Sequence, residues 1–124
     1  MNGKIPHIVQ YQGSKRVLAP QILQYMPERF NRLIEPFSGM AAISIATAYE
    51  NRTNSFLVND LNKPLVDMLQ EAIEKPEQLI MNYSKVWEEQ FSYGENHIQH
   101  FYDVRERFNN GEKTSANKIG RAHV

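Results

Sequence analysis

Apolar positions cluster in short runs separated by glycine, proline and asparagine. Leu33 and Ile34 form a short apolar run that enters Glu35-Pro-Phe-Ser-Gly39. Ala41, Ala42, Ile43, Ile45 and Ala46 follow it, small or apolar throughout. This predicts a strand, a turn over Pro36 to Gly39, and a helix. A second apolar run, Phe56 to Val58, predicts another strand, ending at Asn59-Asp60. Upstream, Val17, Leu18, Ile22, Tyr25 and Met26 recur at helical spacing, and Pro20 confines the helix start to about Val17. Ser14 suits a helix N-cap and Pro27 closes the helix. Residues 1–13 read as an irregular arm in which Ile5, Ile8 and Val9 pair as an edge or pack on the core.

The second half is helical. Pro64 opens a helix with the stripe Leu65, Met68, Leu69, Ala72 and Ile73, which Lys75-Pro76 breaks. Leu79, Tyr83, Val86 and Trp87 predict a further amphipathic helix. Ile98, Phe101, Tyr102, Arg105 and Phe108 predict another, stopped at Asn109-Asn-Gly111. Beyond Thr114 no closing element is expected. Ile119-Gly-Arg-Ala-His-Val124 fits no pattern around it and looks like one reading frame of a widely used sequencing adapter.

The order strand–helix–strand–helix belongs to an α/β fold with parallel strands and flanking helices. Only two strands are legible, whereas a stable sheet normally needs three or more. The expectation is the front part of a larger domain.

Composition adds limits. The chain has 124 residues, 41% hydrophobic and 23% charged, ordinary for a globular domain. It has no cysteine, hence no disulfide framework and no thiolate metal site. It shows no run of about 18 apolar residues for a membrane span and no apolar signal core after Met1, so a cytoplasmic location is expected. Net charge is zero, but unevenly spread. Residues 1–34 carry five basic residues against Glu28 alone, while residues 59–112 carry eleven acids against five bases. A basic leading end faces phosphate in some proteins; on charge alone a solvated surface is the better reading.

Three short motifs carry candidate chemistry. In Tyr11-Gln-Gly-Ser-Lys15, Gly13 precedes a helix start, Tyr11 offers a ring and Lys15 a cation. An ordinary helix cap is the plain alternative, and the spacing is not that of a P-loop. In Glu35-Pro36-Phe37-Ser38-Gly39 a carboxylate and a glycine turn stand at the carboxyl end of a strand, where open α/β sheets bind ligands. Such a turn before a helix suits polar or anionic small molecules. The motif lacks the three glycines of a dinucleotide site and the glycine before serine of a hydrolase elbow. Asp60 lies 21 residues after Gly39, near the spacing of about 20 residues at which nucleotide-binding folds place a ribose-binding carboxylate. Its alternative is an Asx turn capping the next helix, which Asn59 and Asn62 also suit. His7, His97 and His100 show no metal spacing with a third ligand, so solvated or packed histidines are expected.

In this order, Tyr11-Gln-Gly-Ser-Lys-Arg16, Glu35-Pro-Phe-Ser-Gly39 and Asn59-Asp60-Leu-Asn62 resemble the Dam-like family of adenine-specific DNA methyltransferases. Phe101-Tyr-Asp-Val-Arg-Glu-Arg-Phe-Asn109 is similar to a helix near the start of that family's DNA-recognition region. The resemblance covers about residues 8–110. It implies a partial Rossmann-like methyltransferase fold leading into a helical DNA-recognition region. Residues 1–75 would be the N-terminal part of the cofactor-binding domain, 76–118 the start of the recognition region, and 119–124 a non-native tail.

The resemblance also implies S-adenosylmethionine as cofactor. Tyr11, Gly13 and Lys15 would meet it from upstream, the lysine near its methionine carboxylate. Glu35, Pro36, Phe37, Ser38 and Gly39 would form the turn under the methionine part, and Asp60 would hold the ribose. Where the family usually has a second glycine, this chain has Ala41, so a tighter turn is expected. The family's catalytic Asp-Pro-Pro-Tyr does not occur in the 124 residues, so no catalytic residue is assigned. The implied partner is double-stranded DNA, met by the complete enzyme as a monomer and away from membranes. The other readings are a non-catalytic nucleotide-binding or interaction module, and a methyltransferase acting on another substrate.

Overall fold

The computed structural model describes residues 5–122. It divides into two compact units, with the division after Asn62.

The first unit runs α1 (Ala19–Gln24), β1 (Leu33–Glu35), α2 (Ala42–Tyr49) and β2 (Phe56–Val58). The strands pair in parallel, Leu33 with Phe56, Ile34 with Leu57 and Glu35 with Val58. Parallel neighbours require a crossover, and α2 supplies it. Pro20 falls in the first turn of α1, where its missing N–H costs nothing. The helix starts at Ala19, two residues after the expected start, and Leu18 is its N-cap. Ser14 caps a preceding turn instead, its Oγ accepting the Arg16 N–H at 3.3 Å.

The core of this unit is Ile5, Ala19, Leu23 and Ala46, with Met26, Ile43 and Ile45 against it. Ile5 and Val9 are both buried, so the arm packs on the core rather than pairing as an edge. The expected stripe of α1 is displaced. Val17, Leu18 and Tyr25 are exposed, while Ala19 and Leu23 are buried. Spacing alone offered two adjacent faces, and the smaller Ala19 lets α1 approach α2 closely. Arg52 then ties the two elements together. Its Nη1 donates to the carbonyls of Leu23, Met26 and Pro27 at 2.6, 3.2 and 3.3 Å. Its Nη2 pairs with Glu50 at 2.6 Å. These bonds fix the chain just beyond the end of α1.

The second unit runs α3 (Lys63–Glu74), α4 (Pro76–Glu89), a 3-10 turn (Gln90–Tyr93), α5 (His97–Asn109) and α6 (Ser115–Ala122). Pro76 opens α4 in its first turn. Leu65, Met68, Leu69, Leu79, Val86, Val104 and Phe108 are buried. In α5 the buried stripe is His100, Val104 and Phe108, while Ile98 and Tyr102 of the expected stripe are exposed. His100 lies edge-on to Tyr93 with ring centroids 5.2 Å apart. Tyr93 donates its hydroxyl to Asp103 at 2.8 Å, and Arg107 pairs with Glu89 at 2.8 Å. These contacts hold the polar side of α5 against the 3-10 turn and the end of α4. The expectation of no element beyond Thr114 is corrected by α6. Thr114 Oγ1 accepts the Asn117 N–H at 3.1 Å, a helix cap, and Ala116 and Ile119 are buried.

No helix among the described residues is long and apolar enough to cross a membrane.

Candidate functional site

The carboxyl ends of β1 and β2 lie side by side because the strands are parallel and in register. Asn59, the first residue after β2, fastens the turn that follows β1. Its backbone N–H donates to Glu35 O at 3.0 Å, and its carbonyl accepts the Ser38 N–H at 3.0 Å. Its side-chain amide donates to Pro36 O at 3.0 Å. Sequence spacing gave Asn59 only a capping role. Its position beside Asp60 was the available signal.

Asp60 completes the clamp. One oxygen, Oδ1, accepts the Asn62 N–H at 2.9 Å and makes the Asx turn. The other, Oδ2, reaches across to the Gly39 N–H, also at 2.9 Å. Backbone hydrogen bonds from Asn62 and Gly39 hold its pKa below the usual value of 3.8, outweighing partial desolvation. Asp60 is therefore ionised at neutral pH. Each carboxylate oxygen carries two acceptor sites, so acceptor capacity remains for ligand hydroxyls.

Gly39 has φ +50, a left-handed conformation that glycine adopts without strain. A Cβ built there would meet Tyr11 Cε1 at 3.4 Å, so the tyrosine ring lies over the glycine. The ring over Gly39 and the Asp60 bond beneath it bring elements of all three motifs to one place. Gly13, at φ +79, forms an open turn with space around it. Lys15 is exposed and makes no ion pair among the described residues. Phe37 projects from the turn, 92% exposed, and Leu61 beside Asp60 is fully exposed at 100%. Ser38 is buried, and its hydroxyl contacts the Gly39 carbonyl at 3.4 Å.

Glu35 turns toward α2. Its Oε2 accepts the Ser44 N–H at 3.0 Å and the Ser44 hydroxyl at 2.6 Å. Ser44 stands at the third helical position after the Ala41 cap. The carboxylate therefore caps the helix from the preceding strand and complements the positive end of its dipole. Ser44 was not legible as a partner, because nine residues and a turn separate it from Glu35.

Ala41, at the family's second-glycine position, sits at φ +52 and ψ 38. The turn keeps glycine-like geometry with an alanine in it.

The profile of D12 class N6 adenine-specific DNA methyltransferases matches residues 11–122. The chain belongs to this family. It is 28% identical over 116 residues to the Type II methyltransferase M1.LlaDCHI of Lactococcus lactis subsp. cremoris, covering 91% of this chain and 36% of that protein. It is 28% identical over 102 residues to the Retron Ec67 DNA adenine methylase of Escherichia coli, covering 82% of this chain and 32% of that protein. The chain thus spans about a third of the length of these curated relatives. No solved structure matches.

Proposed function

We propose that this chain is the cofactor-binding portion of an adenine-specific DNA methyltransferase that takes its methyl group from S-adenosylmethionine. The observation that carries the proposal is the Gly39–Asp60 bond under the Tyr11 ring, within a family match over residues 11–122. The donor set suits the cofactor. A glycine turn leaves room for a close ligand, an ionised aspartate accepts hydroxyl donors, and an exposed lysine offers a cation.

In this reading Asp60 accepts the two ribose hydroxyls with its remaining lone pairs. The Glu35–Gly39 turn runs under the methionine part, Lys15 pairs with its carboxylate, and Tyr11 and Phe37 give it apolar contact. Gly13 keeps the approach to Lys15 open. Bound S-adenosylmethionine supplies an electrophilic methyl group. The rigid turn fixes where that group stands, and fixing reactants at near-attack distance is a large part of catalysis. The part of the enzyme that holds the target base lies outside this chain, since no Asp-Pro-Pro-Tyr occurs in it. Base extrusion from duplex DNA is the general route to such chemistry. The wider domain is a Rossmann-like methyltransferase fold, with residues 76–118 starting the DNA-recognition region.

The test is titration of S-adenosylmethionine into the 124-residue chain, followed by amide chemical shifts. Weak saturable binding with shifts at Gly39 and Asp60 is expected. A folded chain with no response there would refute the site. Transfer of labelled methyl to DNA by this chain alone would refute the placement of catalysis elsewhere.

A further inference from the structure

We propose that a second copy of this chain docks on the helical unit, in the groove between α4 and α5. These two helices pack chiefly on α6 rather than on each other, which leaves a gap between them. Tyr83, Val86 and Trp87 wall the gap on one side, Ile98 and Phe101 on the other. It holds about 170 Å³. An apolar cavity of about 150 Å³ accepts a benzene ring, so there is room for one aromatic side chain.

Apolar surface continues beyond the gap. Ile80 and Trp87 of α4 and Phe91 of the 3-10 turn are all exposed, and Ile80 and Trp87 share one helix face. Ile98 and Tyr102, one turn apart on α5, are exposed as well. Apolar side chains scattered singly over a surface need no explanation, but a grouping along the two walls of one groove marks an interaction site. At half exposure or more, these five present on the order of 500 Å². A standard interface takes about 800 Å² from each partner, so the pairing is weak and reversible.

The charges beside the groove point to a second copy. Glu88 adjoins Trp87 on α4, and Arg105 lies one turn beyond Phe101 on α5. Both are exposed, and neither side chain is paired among the described residues. One wall is thus edged by an acid and the other by a base. A two-fold axis makes every contact twice, so Glu88 of each copy meets Arg105 of the other. A partner of a single sign would match one edge and oppose the other. The pairing departs from the monomer that the family resemblance implies, and it is independent of the cofactor turn.

The experiment is sedimentation velocity on the 124-residue chain from roughly 5 to 500 µM, with the emission of Trp87, the chain's one tryptophan, as a second readout. Monomer is expected at the low end. Dimer is expected to dominate at the high end, with emission moved to shorter wavelength as Trp87 leaves water. Ile98→Glu, folded by circular dichroism, is expected to abolish the dimer. Arg105→Glu is expected to weaken it by about tenfold, because both cross-pairs become repulsive. Adding Glu88→Arg to Arg105→Glu is expected to restore it. Monomer at every concentration would overturn the proposal and leave the groove to a different chain. Growth into ever larger species would also overturn it, since a two-fold contact closes on itself. A dimer unaffected by Ile98→Glu would overturn the groove as its seat. Equal association of Arg105→Glu and the double variant would overturn the crossed charge pairing.

Discussion

Asp60 Oδ2 accepts the backbone N–H of Gly39 at 2.9 Å, joining the loop after the second strand to the turn after the first. The bond makes one carboxylate both a brace and a candidate ligand group, and the two roles separate experimentally. Asp60→Ala loses the bonds to Gly39 and Asn62 and is expected to destabilise the chain by about 1–2 kcal/mol, measured by urea unfolding. S-adenosylmethionine binding is expected to weaken by more than that loss of folded population explains. Unchanged affinity in the folded fraction would leave Asp60 as a brace alone.

The same residue predicts an acid response. Its folded pKa lies below the usual 3.8, because Asn62 and Gly39 hydrogen-bond the charged form. That stabilisation is present above the unfolded value and is lost as pH falls through the lower folded value. Asp103, hydrogen-bonded by Gln99 and Tyr93, is shifted the same way. Thermal stability should therefore decline as pH drops below about 4. Asp60→Asn is expected to flatten that decline, and an identical slope in the variant would remove Asp60 from the cause.

Ser44→Ala removes the 2.6 Å hydroxyl bond to Glu35 while leaving the helical N–H in place. Ser44 is buried, so the lost bond is not replaced freely by water. A stability loss of about 1 kcal/mol is expected from the urea midpoint. The companion variant Ser44→Thr keeps a hydroxyl at this position. Its retention of stability where Ser44→Ala loses it would show that the bond and not the volume is responsible.

Ala41 is strained at φ +52, a conformation that costs an L-residue about 1–2 kcal/mol. Replacing it by glycine forfeits one buried methyl, about 0.8 kcal/mol. The strain is the larger of the two, so Ala41→Gly is expected to raise stability by about 0.5 kcal/mol. A loss near 1 kcal/mol, typical of glycine inside a helix, would contradict the assigned backbone.

Thr47 is fully buried in α2, and its hydroxyl has no hydrogen-bond partner among the described residues. Valine has the same shape without the unmet polar group. Thr47→Val is expected to stabilise the chain by about 1 kcal/mol, seen as a raised melting temperature. A destabilised variant would mean that the hydroxyl has a partner after all.

Both strands, the turn between β1 and α2, and the proline-marked starts of α1 and α3 were legible in the sequence. Each depends on local chemistry: apolar runs for strands, glycine and proline for turns, a missing N–H for first helical turns. The order of the three motifs was legible for the same reason, since it lies in the chain itself. Which helix face is buried was not local. In α1 the choice fell to Ala19 and Leu23 because α2 packs there, and in α5 it fell to His100 and Val104, with Tyr93 edge-on against His100. The 3-10 turn and α6 form through tertiary contacts and a threonine cap that apolar spacing does not report. At the turn itself, Glu35, Gly39 and Asp60 were visible as residue types with suggestive spacing. Only folding decided where their charges point, because Glu35 meets Ser44 and Asp60 meets Gly39 once the parallel strands bring distant backbone donors within 3 Å. That arrangement turns the Gly39 and Ser44 N–H groups onto the protein's own carboxylates.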